Sequence, residues 1–248
     1  MSRAIIDAES YLYKAALTCK ELVEIQPGIY YEAYNLNTAR NYLKEEFSRL
    51  TSRCGCGEYM LVVGGVGKNF RLILNPNYKS NRKKVAKPLM LDKVREMVFG
   101  EFPVCYFPSL EADDTCRILM EENKDNVIVS VDKDLRTFPG KVYDSYHDEV
   151  KYITPLQAEA NFKRQLLMGD KIDGYSGLPK VGPATADKLL LKGIKEDDIA
   201  QMYIDSGLGM ETFEMVYNCA KILGKEDYNG GIITLYGGKK LNLTDYQR

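Results

Sequence analysis

The chain has 248 residues, 45% of them hydrophobic, with a formal net charge of −1, six cysteines and one histidine. That length and composition exclude a disordered segment and allow one large globular unit or two closely packed ones. No apolar run approaches the roughly 20 residues of a bilayer span and the first residues lack a signal-peptide pattern, so a cytoplasmic protein with no membrane partner and free thiols is expected.

In chain order, residues 3–7 read as a short buried strand ending at Asp7, and residues 58–64 as a second one. Between them a helix is predicted, with Asn37 as its cap and Leu43, Phe47 and Leu50 giving it an apolar face. Cys54 and Cys56 follow, but one residue apart and without a second pair they do not have the spacing of a zinc site, and the lone His147 cannot build one. From Val66 to Leu91 there is no acidic residue, while Lys68, Arg71, Lys79, Arg82, Lys83, Lys84 and Lys87 form a basic run. Residues 89–99 read as a helix, 104–107 as a strand, 111–122 as a helix capped by Ser109, and 127–131 as a strand closing at Asp132. Near-continuous apolar strands alternating with helices predict an α/β core with a mainly parallel central sheet flanked by helices. Beyond residue 154 helices dominate, over 155–167, 183–191, 195–205 and 211–223. The expected organisation is a core over 1–153 and a helical region over 154–248 that share an interface.

The acids stand apart from the basic run, in Glu111, Asp113 and Asp114, in Asp132 and Asp134, and in Asp170 and Asp173. Ligand crevices in parallel sheets lie beyond the carboxyl ends of the strands, so Asp7 and Asp132 are expected at one place, and the acids opening the 111–122 helix can face the same edge. Singly, each cluster has a plain alternative: first-turn acids complement a helix dipole by about 0.3–1 kcal/mol each, and the other pairs fit turns or caps. Together, several carboxylates in one buried place require cations to neutralise them. Two magnesium ions about 4 Å apart, taking such oxygen ligands, would serve phosphoryl hydrolysis with water as nucleophile, while the basic run would hold a phosphate polymer. A further element spans 177–186, where Gly177, Lys180 and Gly182 precede a helix opening with Pro183, Ala184 and Thr185. Amides at such a helix start can bind a nucleic-acid phosphate without touching a base, although an ordinary interhelical loop also fits the two ends of the run. The run 64–69 is not a nucleotide-binding P-loop, because Val62 stands where its first glycine and Asn69 where its Ser or Thr would be.

Four motifs occur in order: Asn75-Pro76-Asn77-Tyr78-Lys79-Ser80-Asn81-Arg82, Leu110-Glu111-Ala112-Asp113-Asp114, Ser130-Val131-Asp132-Lys133-Asp134, and Gly169-Asp170-Lys171-Ile172-Asp173-Gly174-Tyr175-Ser176-Gly177. With these the chain resembles the 5′ nuclease (flap endonuclease) family, in particular bacteriophage 5′-to-3′ exonucleases and the 5′ nuclease domain of bacterial DNA polymerase I, over most of its length. The resemblance implies a PIN-like nuclease core with a basic arch over about 75–100, and a C-terminal helix-hairpin-helix (H3TH) region that grips duplex, with potassium at the hairpin. It implies that Asp7, Glu111 and Asp113 serve a first magnesium site, and Asp114, Asp132, Asp134, Asp170 and Asp173 a second, manganese being able to substitute. It further implies that Lys79 and Arg82 contact the scissile phosphate, that Tyr78 stacks on a terminal base, and that Lys83, Lys84, Lys87, Gly177, Lys180, Gly182, Ala184 and Thr185 contact nucleic acid. The implied partner is DNA with 5′ ends, flaps or RNA primers, met by a monomer. One position departs from the family pattern: Gly65 stands where an aspartate would follow the strand. That gap leaves open a branched-DNA-binding protein with weakened chemistry, and predicts that Gly65→Asp raises metal-dependent turnover. A ribonuclease of the related α/β type is a third reading, weakened by the duplex-gripping hairpin.

Overall fold

The computed structural model describes residues 2–80, 86–145 and 147–246. It opens with β1 (Arg3–Asp7), α1 (Glu9–Thr18), the strand pair β2 (Lys20–Gln26) and β3 (Ile29–Tyr34), α2 (Leu36–Arg53) and β4 (Glu58–Val62). There follow α3 (Phe70–Leu74), α4 (Leu91–Glu101), β5 (Val104–Cys105), α5 (Ala112–Glu122), β6 (Val127–Val129), β7 (Gly140–Asp144) and β8 (Glu149–Ile153). The remainder comprises α6 (Pro155–Met168), β9 (Gly169–Asp170), β10 (Tyr175–Ser176), α7 (Pro183–Leu191), α8 (Glu196–Asp205), α9 (Gly209–Ala220), and the short strands β11 (Tyr228–Asn229), β12 (Ile232–Thr234) and β13 (Lys240–Asn242).

The central sheet has the order β5-β4-β1-β6-β7-β8, parallel except for the antiparallel edge strand β8. Successive residues of β1 point to opposite faces and both faces are covered. Ala4 and Ile6 join Leu61, Val127 and Val129 in a core with α1, α2 and α4, whereas Ile5 joins Val62, Ile128 and Val142 in a second core with Cys116, Leu119 and Met120 of α5. From β1 the chain steps outward to β4 and β5, then returns to the other flank of β1 through β6. The reversal places the carboxyl ends of β1 and β6 side by side, with Ile6 level with Val129.

The expected α/β class holds, and local details shift. The cap of α2 is Asn35, whose side chain accepts from the Asn37 amide, because the first of the two asparagines takes the extended backbone of a cap. Glu111 rather than Ser109 caps α5; Ser109 sits at φ 62° in the preceding turn, where it cannot begin a helix. Strands are not confined to the first part of the chain. After α9, β11–β13 form a three-stranded sheet, and Ile233 and Leu243 of this segment pack with Phe70, Leu110, Ile118 and Leu223. No helix among the described residues is long and apolar enough to cross a membrane.

Candidate active site

A cleft of about 860 Å³ opens at the carboxyl edge of the central sheet, walled by Asp7, Glu111, Asp113 and Asp132, with Lys79, Arg95 and Lys133 as its cations. Each acid arrives for a local reason. Asp7 is the last residue of β1, and Asp132 follows the end of β6 by three positions. Ser130 joins them: its hydroxyl donates to Asp7 Oδ2 at 2.9 Å and accepts from the Asp132 amide at 3.1 Å. Glu111 is the cap of α5, and Asp113 lies in its first turn. Glu111 and Asp113 also border a smaller, deeper space with Tyr78, Asp134, Gln165 and Asp173, so the two groups of acids are continuous.

The electrostatics reflect this crowding. Burial pushes the Asp7 carboxyl up to about 6, aided by Glu9 and Asp132 and opposed by the Ser130 hydroxyl. Asp113 is raised well above the usual carboxylate range, first by burial and then by the charges of Asp7, Asp132 and Glu111. Asp134 is likewise pushed up to about 6 by burial and Asp132. Burial alone would also raise Glu111, but the adjacent charges of Arg71 and Lys79 outweigh it and hold the group low.

Most of these carboxylates are held by donors from the chain itself. Lys79 Nζ lies 2.6 Å from Glu111 Oε1 and 3.6 Å from Asp173 Oδ2. Lys133 Nζ is 2.8 Å from Asp170, whose other oxygen accepts from the amides of Ile172 and Asp173. Gln165 Nε2 donates to Asp134 at 2.6 Å, while its Oε1 is buried without a hydrogen-bond partner. Among the described residues no group of three or more His, Cys, Asp or Glu side chains stands ready to hold an ion. The donor set nonetheless suits a hard divalent cation: oxygen ligands, three of them with raised proton affinity through burial and mutual repulsion, and an unpaired buried carbonyl oxygen beside them.

Several expected site residues lie elsewhere or are otherwise engaged. Asp114 is fully buried off the cleft, forming two 2.8 Å bonds to the Arg71 guanidinium and accepting from the amides of Leu223 and Glu111. Arg71 therefore leaves the basic run; it is 2% exposed and also binds the carbonyls of Cys219 and Lys221. Tyr78 presents no face to a base, because its ring is 3% exposed and its hydroxyl donates toward Glu111 at 2.8 Å and Asp173 at 3.2 Å. Arg82, Lys83 and Lys84 lie outside the described residues, and Lys87 is exposed.

At Gly65, where an aspartate is expected to raise turnover, the backbone leaves no space for a side chain. A Cβ at this position would stand 1.9 Å from the Phe107 carbonyl oxygen and 3.0 Å from that of Leu110, which already accepts from the Gly65 amide at 2.9 Å. Both obstacles are backbone, so any side chain at 65 must displace the 107–110 turn.

The base of the expected arch is seated on the turn after β9. Asn75 Nδ2 donates to the Gly174 carbonyl at 3.1 Å and the Lys79 amide to that of Asp173 at 2.9 Å. A Cβ on Gly174 would lie 2.5 Å from the Asn77 carbonyl oxygen, so only glycine allows the approach. Further along, Gly177, Lys180 and Gly182 line a hollow of about 430 Å³ before α7, whose first helical residue is Pro183 and whose N-cap, Gly182, makes no side-chain cap bond. Ala184 and Thr185 in its first turn are exposed.

The sequence reading placed Arg71 only in the basic run and Ser130 only within a motif, and singled out neither Gln165 nor Arg95. For Ser130 a signal existed, a hydroxyl two residues before Asp132 at a strand end. For Gln165 and Arg95 nothing distinguishes them in sequence from neighbouring surface residues, and nothing local marks Arg71 as buried.

No family model matches the chain. It is 28% identical over 171 residues to an exonuclease of Escherichia phage T7, a match covering 61% of this chain and 57% of the phage protein, so it spans little more than half of that relative. It is 25% identical over 212 residues to a 5′-3′ exonuclease of Aquifex aeolicus (strain VF5), covering 76% of this chain and 68% of that one. The fold matches that of the T5 D15 protein co-crystallised with metal ions, with a TM-score of 0.67 over 90% of both chains at 15% identity. The resemblance to 5′ nucleases carried by the four motifs thus extends to the overall sequence, and the α/β fold is that of the T5 protein.

Proposed function

We propose that this chain, similar in sequence and fold to 5′ nucleases, is a divalent-metal-dependent 5′-to-3′ exonuclease or flap endonuclease. Its substrates are phosphodiester bonds near 5′ ends in DNA or RNA–DNA, as met in primer removal during phage-type replication. The observation that carries this reading is the single cleft at the carboxyl edge of the sheet, where Asp7, Glu111, Asp113 and Asp132 meet Lys79 and continue into Asp134 and Asp173.

On this reading Asp7, Asp113 and Asp132 would hold one magnesium or manganese ion and Asp134 and Asp173 would hold another, with Glu111 available to either group. Such ions, when bound, would supply positive charge at the reacting oxygens of a phosphodiester and acidify an attacking water. The chain does the rest. Lys79, now shared by Glu111 and Asp173, has a mobile ammonium that can turn to a phosphate oxygen once those acids have other partners. Tyr78 keeps its proton, because burial and the adjoining acids raise it far above the ordinary phenol, and so remains a donor fixing Glu111 relative to Asp173. The hairpin of Gly177, Lys180 and Gly182, with the open start of α7, would take a duplex phosphate without reading sequence. The segment 154–248 is accordingly assigned to holding duplex and, through Asp173, to completing the acidic site whose other acids belong to 1–153.

The test is cleavage of a 5′-labelled flap and of a 5′-recessed duplex in magnesium, manganese or chelator. Cutting near the 5′ end in either metal is expected, absent in chelator and reduced on the order of a hundredfold or more in Asp132→Ala. Cutting that survives chelation or Asp132→Ala, or tight flap binding with no cutting in either metal, would overturn the proposal.

A further inference from the structure

Lys79 is anchored on the side of the cleft formed by Glu111 and Asp173; a second cation, Arg95, enters from the other side. Its guanidinium pairs with Glu9 Oε2. Glu9 in turn accepts from the Gly64 amide through Oε1 at 3.0 Å, and its own amide lies 3.4 Å from Asp7 Oδ1. Glu9 therefore ties Arg95 to the edge formed by β1 and β4, and both it and Arg95 border the cleft.

Two features argue that this arginine is there for an anion. The first is rigidity: α4 is fastened into the main core by Leu91, Val94, Met97 and Val98, so Arg95 projects from a fixed helix. The second is energetic. The side chains of Arg95 and Glu9 are 34% and 37% exposed, and an ion pair this open contributes only about 0–1 kcal/mol, too little for stability to account for a cation on the lining of the cleft. A guanidinium has five donors in a planar fork that matches phosphate, and Glu9 engages only its outer end.

The geometry points to Arg95 as a substrate-binding residue that takes a backbone phosphate next to the scissile one, with Glu9 as its resting partner in the free protein. This rests on the nuclease reading above. On substrate binding the guanidinium exchanges the Glu9 carboxylate for phosphate oxygens, and the strand is held between Arg95 on one wall and Lys79 on the other.

The experiment measures the affinity of the whole protein for a fluorescent 5′-recessed duplex in chelator, across a salt series, so that binding is read without cutting. Arg95→Ala is expected to weaken binding and to flatten the slope of log affinity against log salt by about 0.9, the loss of one phosphate contact. Arg95→Lys should restore the slope but only part of the affinity, since it keeps the charge and loses the fork. Glu9→Gln should bind more tightly than the parent chain at the same salt, because the resting partner has lost its charge. In magnesium, Arg95→Ala should raise KM more than it lowers kcat. A wild-type slope and KM in Arg95→Ala, or unchanged affinity in Glu9→Gln together with weak binding by Arg95→Lys at a flattened slope, would overturn the proposal. Thermal melting of each variant separates loss of a contact from loss of fold. Because the slope is read in chelator, absence of cutting by the parent protein would reject the nuclease reading while the Arg95 result still stands or falls by itself.

Discussion

Gly65 ends the β4 edge of the cleft with its amide bonded to the Leu110 carbonyl and no space for a Cβ. The missing carboxylate is therefore tied to the path of the neighbouring 107–110 turn, where Ser109 occupies the left-handed region and donates its amide to Val66. Gly65→Ala and Gly65→Asp are both expected to lower stability by about 1–3 kcal/mol through overpacking, and Gly65→Asp to show no gain in metal-dependent turnover. Urea denaturation and a cleavage assay on the same preparations check this; an aspartate variant with parental stability and a faster rate would contradict it. At this scale much of the cleft was legible, since Asp7 and Asp132 could be placed together from strand ends alone. The role of Asp114 was not: three residues after Glu111, it occupies the capping-box position and a ligand position equally well, and only the buried guanidinium of Arg71, distant in sequence, separates the two.

Among the elements, α3 is only five residues long, yet it carries the tie between the α/β core and the end of α9. Arg71 reaches from it to Asp114 and Glu111 at the start of α5 and to the carbonyls of Cys219 and Lys221. Removing either partner leaves a buried charge without compensation. Arg71→Met and Asp114→Asn are each expected to cost roughly 3–5 kcal/mol in urea denaturation, and the double variant less than their sum. Single costs below about 1 kcal/mol would show that the pair is not a structural tie. Periodicity revealed the longer elements α2 and α6–α9, since nine or more residues display an apolar face clearly. It could not reveal α3, or β9 and β10 at two residues each. The β2–β3 hairpin could have been found from Pro27-Gly28 between two β-rich runs, with Gly28 at φ 79°; its exposed Leu22, Ile25, Tyr30 and Tyr31 gave no alternation to recognise.

Across the whole molecule, acids contributed by β1, α5, the turn after β6 and the turn after β9 are gathered in one place, so that their protonation is linked to folding, and to ion binding on the proposed function. The folded values of Asp7 and Asp134, about 6 against an ordinary 3.8, mean that the native state binds more protons than the unfolded chain between those limits. Their contribution to stability is therefore present in full below about pH 4 and is lost as pH rises through about 6. In chelator the melting temperature should fall, through these groups, between about pH 5 and about pH 7.5, and added magnesium or manganese should raise it more at the higher pH, where the carboxylates are charged. A metal-induced rise that is equal at both pH values, or larger at the lower one, would speak against ion binding at these acids. From the sequence alone came the α/β class, the parallel sheet, the acids at strand ends and the glycine-bounded hairpin before α7, because each depends on residue types at short, regular spacing. Tertiary structure decided which acids face the cleft, which are consumed by Arg71, that Tyr78 turns inward, that Arg95 pairs with Glu9 on the lining of the cleft, and that Gly65 has no room for a side chain. Those outcomes depend on contacts between residues tens of positions apart, whose distances no local pattern encodes.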